Sequence, residues 1–294
     1  MRIVLTGGTG YIGTALRRHL VAAGHTVTAL VRSDQAAAKI TGAGEEPVVG
    51  DLFDTAWVAG QFAGADGVIH TAATGDATTQ QLDRSVAAAA TQALSGTGKP
   101  YLHTSGIWVY GSDPDITEET PFAPPALTAW RTAVEQLVLE ADLLTTIVAP
   151  GIVYGYGAGI PGAMFGAPNE AGQIPLIGNG DQHWVTIHVD DVAALYVTAL
   201  ERGERLGYLI AGSGINPTVR ELGEAAAVGK ARTTGEGVAV VPESADASRA
   251  RLGALFADAL LLDQQTAATT AKALGWKPTA RTLVEEFRTG SYAA

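Results

Sequence analysis

The stretch that most constrains this chain is its beginning. Ile3-Val4-Leu5 runs directly into Thr6-Gly7-Gly8-Thr9-Gly10-Tyr11-Ile12-Gly13. An apolar run stopped by a glycine turn reads as a buried strand. Residues 11–23 then carry Ile12, Leu16, Leu20 and Ala23 on one face at helical spacing. Strand, glycine turn and helix in that order make an anion site. Glycine lets the backbone turn tightly and approach a ligand, and the helix N-terminus directs N–H groups at it. The glycines are read in a GxxGxxG spacing, Gly7, Gly10 and Gly13, a variant of the dinucleotide fingerprint, with Gly8 in addition. In this context the turn predicts a dinucleotide whose pyrophosphate lies on Gly7, Gly10, Tyr11, Ile12 and Gly13.

The end of the second strand, 26–31, selects the dinucleotide. An acid there would bond ribose hydroxyls, but Val31 occupies the place and Arg32 and Ser33 follow. A guanidinium forks onto phosphate, so Arg32 and Ser33 predict a 2′-phosphate and hence NADP over NAD. A short third strand, 47–50, ends at Asp51 and Leu52. Asp51 can accept from an adenine amino group or cap the helix at 55–62, for which Asp54 is the better cap. The fourth strand, 67–70, ends in Thr71-Ala72-Ala73, small enough to leave room for a ligand at the sheet's carboxyl edge. The helix at 79–94 reads as packing, without chemistry. A fifth strand, 100–104, a helix at 126–141 and a sixth strand at 144–148 complete the first half. Strands and helices in this alternation call for an α/β fold, a doubly wound parallel sheet with helices on both faces.

Composition removes several classes of function. The net charge of −11 argues against nucleic acid and against an anionic membrane surface. There is no cysteine, hence no thiol catalysis and no zinc–thiolate site. The chain opens in a strand without a leader pattern, and apolar runs such as 86–90 are too short for a bilayer. A cytoplasmic protein acting on a small molecule is the expectation, with a homodimer as the oligomer to test.

From residue 151 the texture changes. Residues 151–180 are rich in glycine and proline and read as a long loop, a substrate-side lid. A strand at 183–189 follows, then Asp190-Asp191 as caps for a helix at 192–200. Adjacent acids without a His/Asp/Glu cluster give no metal site. Further on come a strand at 206–210, a helix at 218–227, and mostly helical segments at 244–262, 266–274 and 282–287. The expected division is 1–150 for the dinucleotide and 151–294 for a smaller, mostly helical, substrate-binding part interleaved with it.

The chain resembles the extended short-chain dehydrogenase/reductase family, which includes nucleotide-sugar epimerases and dehydratases. The resemblance rests on TGGTGYIG at 6–13, GDLFD at 50–54, VIHTAA at 68–73, WVYG at 108–111, PGIVYGYG at 150–157, WVTIHVDDVA at 184–193 and LGWKP at 274–278. It implies a Rossmann-type sheet and a bound nicotinamide cofactor, with Pro150, Ile152 and Val153 also on the cofactor. The family's catalytic set is a Ser or Thr after the fifth strand and a Tyr-x-x-x-Lys on the next helix. Aligned through Val134-Glu135-Gln136, Arg131 stands where Lys is expected, Leu127 where Tyr is expected and Gly106 where Ser is expected. Leucine has no proton to give, and a guanidinium keeps its charge. Arg131 can still bond ribose or phosphate. Tyr154, Tyr156, Tyr110 and Ser105 are the candidate substitutes for the acid, and His103, His183 and His188 are weaker ones. Ser105 can equally bond the nicotinamide.

Three functions follow. The first is an NADP-dependent oxidoreductase on a small, rather apolar carbonyl, imine or activated alkene, which the apolar, glycine-rich 151–180 favours over a nucleotide sugar. The second is a non-catalytic NADP(H) sensor, favoured by the loss of all three catalytic positions. An epimerase or dehydratase comes third, since both need the tyrosine.

Overall fold

A computed structural model describes residues 1–293. In chain order the first elements are β1 Arg2–Thr6, α1 Tyr11–Ala22, β2 Thr26–Val31, α2 Asp34–Ala37, β3 Glu45–Val49, α3 Thr55–Ala63, β4 Gly67–His70, α4 Thr79–Leu94, β5 Pro100–Thr104, α5 Arg131–Glu140 and β6 Leu144–Pro150. They continue with β7 Ile152–Gly155, α6 Gly159–Phe165, β8 Gln173–Pro175, β9 Thr186–His188, α7 Val189–Arg202, β10 Gly207–Ala211, α8 Val219–Thr234 and β11 Ala239–Val241. The last helices are α9 Ala245–Leu252, α10 Ala254–Leu260, α11 Thr269–Ala273 and α12 Leu283–Thr289.

Seven strands form one sheet in the order β10-β6-β5-β4-β1-β2-β3. From β6 to β3 the strands pair in parallel: Ile3 pairs with Val27 on one side and Gly67 on the other. This is the expected doubly wound, Rossmann-like sheet. Parallel strands are covered on both faces, and β1 accordingly has Ile3, Val4 and Leu5 all buried.

The chain divides into two compact units. The first holds 1–105, 130–149 and 192–209; the second holds 106–129, 150–191 and 210 onward. In the first unit a core of Val4, Leu30, Phe62, Val68, Val86, Tyr101 and Val134 packs α3, α4 and α5 against the sheet. In the second, Tyr154, Phe165, Ile174, Trp184, Leu222, Phe287 and Tyr292 form a separate core. Its largest helix, α8, starts at a capping box between Thr218 and Glu221 and ends at Gly235 in the left-handed region, φ 77°.

Several sequence expectations need correction. The helix expected over 126–141 begins only at Arg131. Pro124 and Pro125 set up a turn closed by the Thr128 N–H on the Pro125 carbonyl, and no side chain caps an earlier start. Leu127 therefore lies in that turn, off the helix. Residues 151–180 are not a structureless lid; they contain β7, α6 and β8. Asp190 and Asp191 sit inside the first turn of α7, which starts at Val189. The Asp191 carboxylate accepts instead from the Thr279 and Ala280 N–H groups, 2.9 and 3.2 Å. The mostly helical stretch over 244–262 is as expected, two helices meeting at Gly253, φ 82°.

Candidate functional site

The glycine turn is built by sterics. Gly7 has φ 75°, a region that favours glycine, and a Cβ there would lie 2.6 Å from Ala72 N. Its carbonyl accepts from Gly10 N–H at 2.9 Å. Gly13 lets α1 approach, since a Cβ there would run into that same carbonyl. Gly8 is pinned from below: Arg17 Nε donates to its carbonyl at 2.8 Å, and Arg17 Nη1 pairs with Glu45 Oε2 at 2.5 Å. No side chain caps α1 after Gly10. The first turn's N–H groups face the cleft, with an anion as their natural complement.

A cleft of about 630 Å³ opens over this turn. Organic ligands fill sites of roughly 300–1,000 Å³, so a dinucleotide's adenine half fits. The cleft is lined by Gly7, Thr9, Gly10, Tyr11, Ile12 and Gly13 from the turn, and by Leu30, Val31 and Arg32 at the end of β2. Asp51, Leu52 and Phe53 line it after β3, and Thr71, Ala72, Ala73 and Thr74 after β4. These are the carboxyl ends of adjacent parallel strands, where open α/β sheets take their ligands.

Ser33 is used differently from the sequence expectation. It does not line the cleft; its hydroxyl caps α2 by accepting from Ala36 N–H at 3.3 Å. That short helix brings Ala36 and Lys39 back to the cleft wall beside Arg32. Lys39 escaped the sequence reading. The available signal was a Ser-Asp helix start directly after β2, which returns the chain within a few residues. Asp51 lines the cleft and also accepts from Phe53 N–H, 2.9 Å, while Asp54 caps α3 through Trp57 N–H, 3.0 Å.

Beneath this wall lies a polar cluster that sequence reasoning missed, because α4 reads as packing. Asp83, on α4, is 2% exposed. His70 Nε2 lies 3.1 Å from its Oδ1, and Thr6 Oγ1 lies 2.6 Å from His70 Nδ1. His70 thus bridges the two, its Nε2 on the Asp83 carboxylate and its Nδ1 on the Thr6 hydroxyl. Arg131 Nη1 lies 3.6 Å from Asp83 Oδ2 and donates to the Thr104 carbonyl at 3.1 Å. The guanidinium also stacks on Trp130, 4.7 Å from the ring centre. Burial pushes the Asp83 carboxyl up, but its interactions with His70, above all the hydrogen bond, and to a smaller extent with His103 and Arg131 hold it below its ordinary value. His103 is fully buried beside them, with Tyr101 OH 3.0 Å from its Nδ1. Burial, with the neighbouring His70, drives its pKa down to about 3.

A second buried carboxyl, Glu135, stands one turn along α5. Tyr208 OH donates to its Oε2 at 2.6 Å. Burial raises its pKa, against the Tyr208 and Ser105 hydroxyls, which lower it. The Ser105 hydroxyl is thus turned into the interior, beside Glu135, and its oxygen is buried. It is not on the cleft.

The tyrosines proposed as acids lie in the second unit. Tyr154 OH donates to the Arg281 carbonyl at 2.7 Å, and burial raises its pKa well above the ordinary phenol value. Tyr110 is 1% exposed, with its ring against Phe122 at 5.2 Å. Tyr156 is the exposed one, at 59%, with φ 55° and its hydroxyl on Asp190. Pro150, Ile152 and Val153 also belong to the second unit.

Residues 3–211 match the NAD dependent epimerase/dehydratase family. The chain is 33% identical to an uncharacterized protein of Schizosaccharomyces pombe, over 99% of this chain and 100% of the relative. It is 30% identical to the 2-alkyl-3-oxoalkanoate reductase of Stenotrophomonas maltophilia, over 68% of this chain and 66% of that one. The human epimerase family protein SDR39U1, solved with NADPH, superposes with a TM-score of 0.73 at 22% identity, covering 99% of both chains. Among the described residues no helix is long and apolar enough to cross a membrane.

Proposed function

Since the chain belongs to the NAD dependent epimerase/dehydratase family, we propose that it is an NADP-dependent reductase of a small, rather apolar carbonyl compound, with imines and activated alkenes as related substrates. The observation that carries the cofactor choice is the pairing of Arg32 and Lys39 on one wall of the cleft, with no acid at the end of β2. Two cations and the glycine turn suit a 2′-phosphate and a pyrophosphate. A carbonyl substrate is favoured by the ketone-reducing activity named for the Stenotrophomonas relative.

When bound, a nicotinamide supplies or accepts hydride. The chain's own part is positioning. Thr9, Gly10 and the α1 N-terminus would hold the pyrophosphate, Asp51 and Phe53 the adenine, and Arg131 the nicotinamide-side ribose. Without the family's tyrosine, hydride transfer rests on proximity. Losing acid–base help costs about 10²–10⁴-fold in rate, so a slow reductase is expected. The other reading is a sensor that binds NADP(H) without turnover, favoured by Leu127 and Arg131 at the Tyr and Lys positions.

Fluorescence titration of NADPH and NADH, followed by NADPH absorbance against aldehydes, ketones, imines and enones, tests these readings. NADPH binding with oxidation by one substrate class supports the reductase. Binding without turnover across the panel supports the sensor, and binding of neither cofactor overturns both.

A further inference from the structure

The buried cluster around Asp83 connects two parts of the fold that a dinucleotide would touch at opposite ends. Thr6 is the last residue before the glycine turn, and it reaches Asp83 through His70. Arg131 reaches the other carboxylate oxygen from the first residue of α5. Three groups hold the guanidinium: the Thr104 carbonyl, the Trp130 ring and Asp83. Its side chain keeps 19% exposure, while that of Asp83 has 3%. A guanidinium has five N–H donors, and these contacts leave donors for a ligand.

We propose that Asp83 is a positioning residue, its buried carboxylate fixing Arg131 so that the guanidinium meets the nicotinamide-side ribose of the bound dinucleotide. The proposal rests on the cofactor reading given above. Its physical basis is that an unpaired carboxylate is costly in the interior, so Asp83 and Arg131 are tied to each other. Asp83 is held at its Oδ1 by His70, while its Oδ2 faces Arg131 Nη1 at 3.6 Å and His103 Nε2 at 3.8 Å, of which the guanidinium alone is permanently charged. A lysine at 131 would be a point charge on a flexible stem, whereas the planar guanidinium can bond the Thr104 carbonyl and still offer its outer edge.

The test compares whole cofactor with a fragment. Adenosine 2′,5′-bisphosphate fills the adenine and 2′-phosphate end and lacks the nicotinamide ribose. In Asp83→Asn, NADPH should bind about tenfold more weakly, while adenosine 2′,5′-bisphosphate binds as to the wild type. Arg131→Met should show the same split, and the double variant should lose no more than either single one. Arg131→Met replaces a partly exposed side chain, so it keeps the test open if Asp83→Asn fails to fold. Equal losses for NADPH and the fragment would mean a general structural role and overturn the proposal. So would unchanged NADPH affinity in Arg131→Met, or additive losses in the double variant. A wild type that binds neither NADPH nor NADH overturns the cofactor reading itself, which the fragment comparison separates from failure of the Asp83 role.

Discussion

Arg17 and Glu45 are joined inside the first unit at 2.5 Å, each side chain under a tenth exposed, while Arg17 Nε holds the Gly8 carbonyl at 2.8 Å. The pair therefore fixes the backbone of the glycine turn from behind. Arg17→Met should weaken NADPH and NADH equally, by about tenfold, because a charge-assisted hydrogen bond to the turn is lost. It also leaves Glu45 buried without its partner, so stability falls by about 3–5 kcal/mol. Fluorescence titration and urea denaturation check both. Arg17→Met with Glu45→Gln should recover part of the stability and none of the affinity.

Gly13 admits no side chain. A Cβ would meet the Gly7 carbonyl, the acceptor that closes the turn on Gly10. Gly13→Ala should destabilise by about 1–3 kcal/mol and weaken cofactor binding more than tenfold. Gly60 is a matched control, a helical glycine where a Cβ meets nothing within 4 Å. Gly60→Ala should leave binding unchanged.

Arg32 and Lys39 line the cleft together, and both are exposed. Arg32→Ala and Lys39→Ala should each weaken NADPH about five- to tenfold and leave NADH within twofold. The effect should shrink as salt rises, because exposed charges are screened. Isothermal titration at low and high salt reads this directly, and equal losses for both cofactors would remove the phosphate role.

His103 makes the fold sensitive to acid. Burial and the neighbouring His70 lower its pKa from 6.5 to about 3, so the unfolded chain takes up the proton first as pH falls. Stability conferred by the neutral ring is complete above the unfolded value. It declines as pH drops from about 6.5 towards 3, by at most about 1.4 kcal/mol per pH unit. Asp83, held below its ordinary value, adds a loss in the same direction at the acid end of that range. His103→Phe should flatten the slope between pH 6 and 4 in denaturant titrations. A wild-type stability that does not change over that interval would contradict the neutral, buried ring.

The chain's local signals carried the fold. The strand–turn–helix at its start, the β–α alternation through 150 and the small residues at Thr71-Ala72-Ala73 are all short-range patterns, and the doubly wound parallel sheet follows from them, whereas its strand order does not. Most of the cleft was legible for the same reason, because parallel strands must end on one edge. For Ser105 and Tyr154, position after a strand did not say where the hydroxyl turns; one faces Glu135 and the other the Arg281 carbonyl.

The glycine turn thus determined by itself that a dinucleotide-type site opens the chain, because backbone sterics and helix N–H groups are fixed by neighbours in sequence. The place of Arg32 on the cleft was likewise legible from its position just after β2. Tertiary structure alone decided the rest. It returned Lys39 to the cleft, started α5 at Arg131 rather than before Leu127, set Arg17 under Gly8 and buried Asp83 between His70 and Arg131. Each of these depends on which groups the packed interior leaves without water, and a buried charge takes its partner from whatever the fold brings within reach.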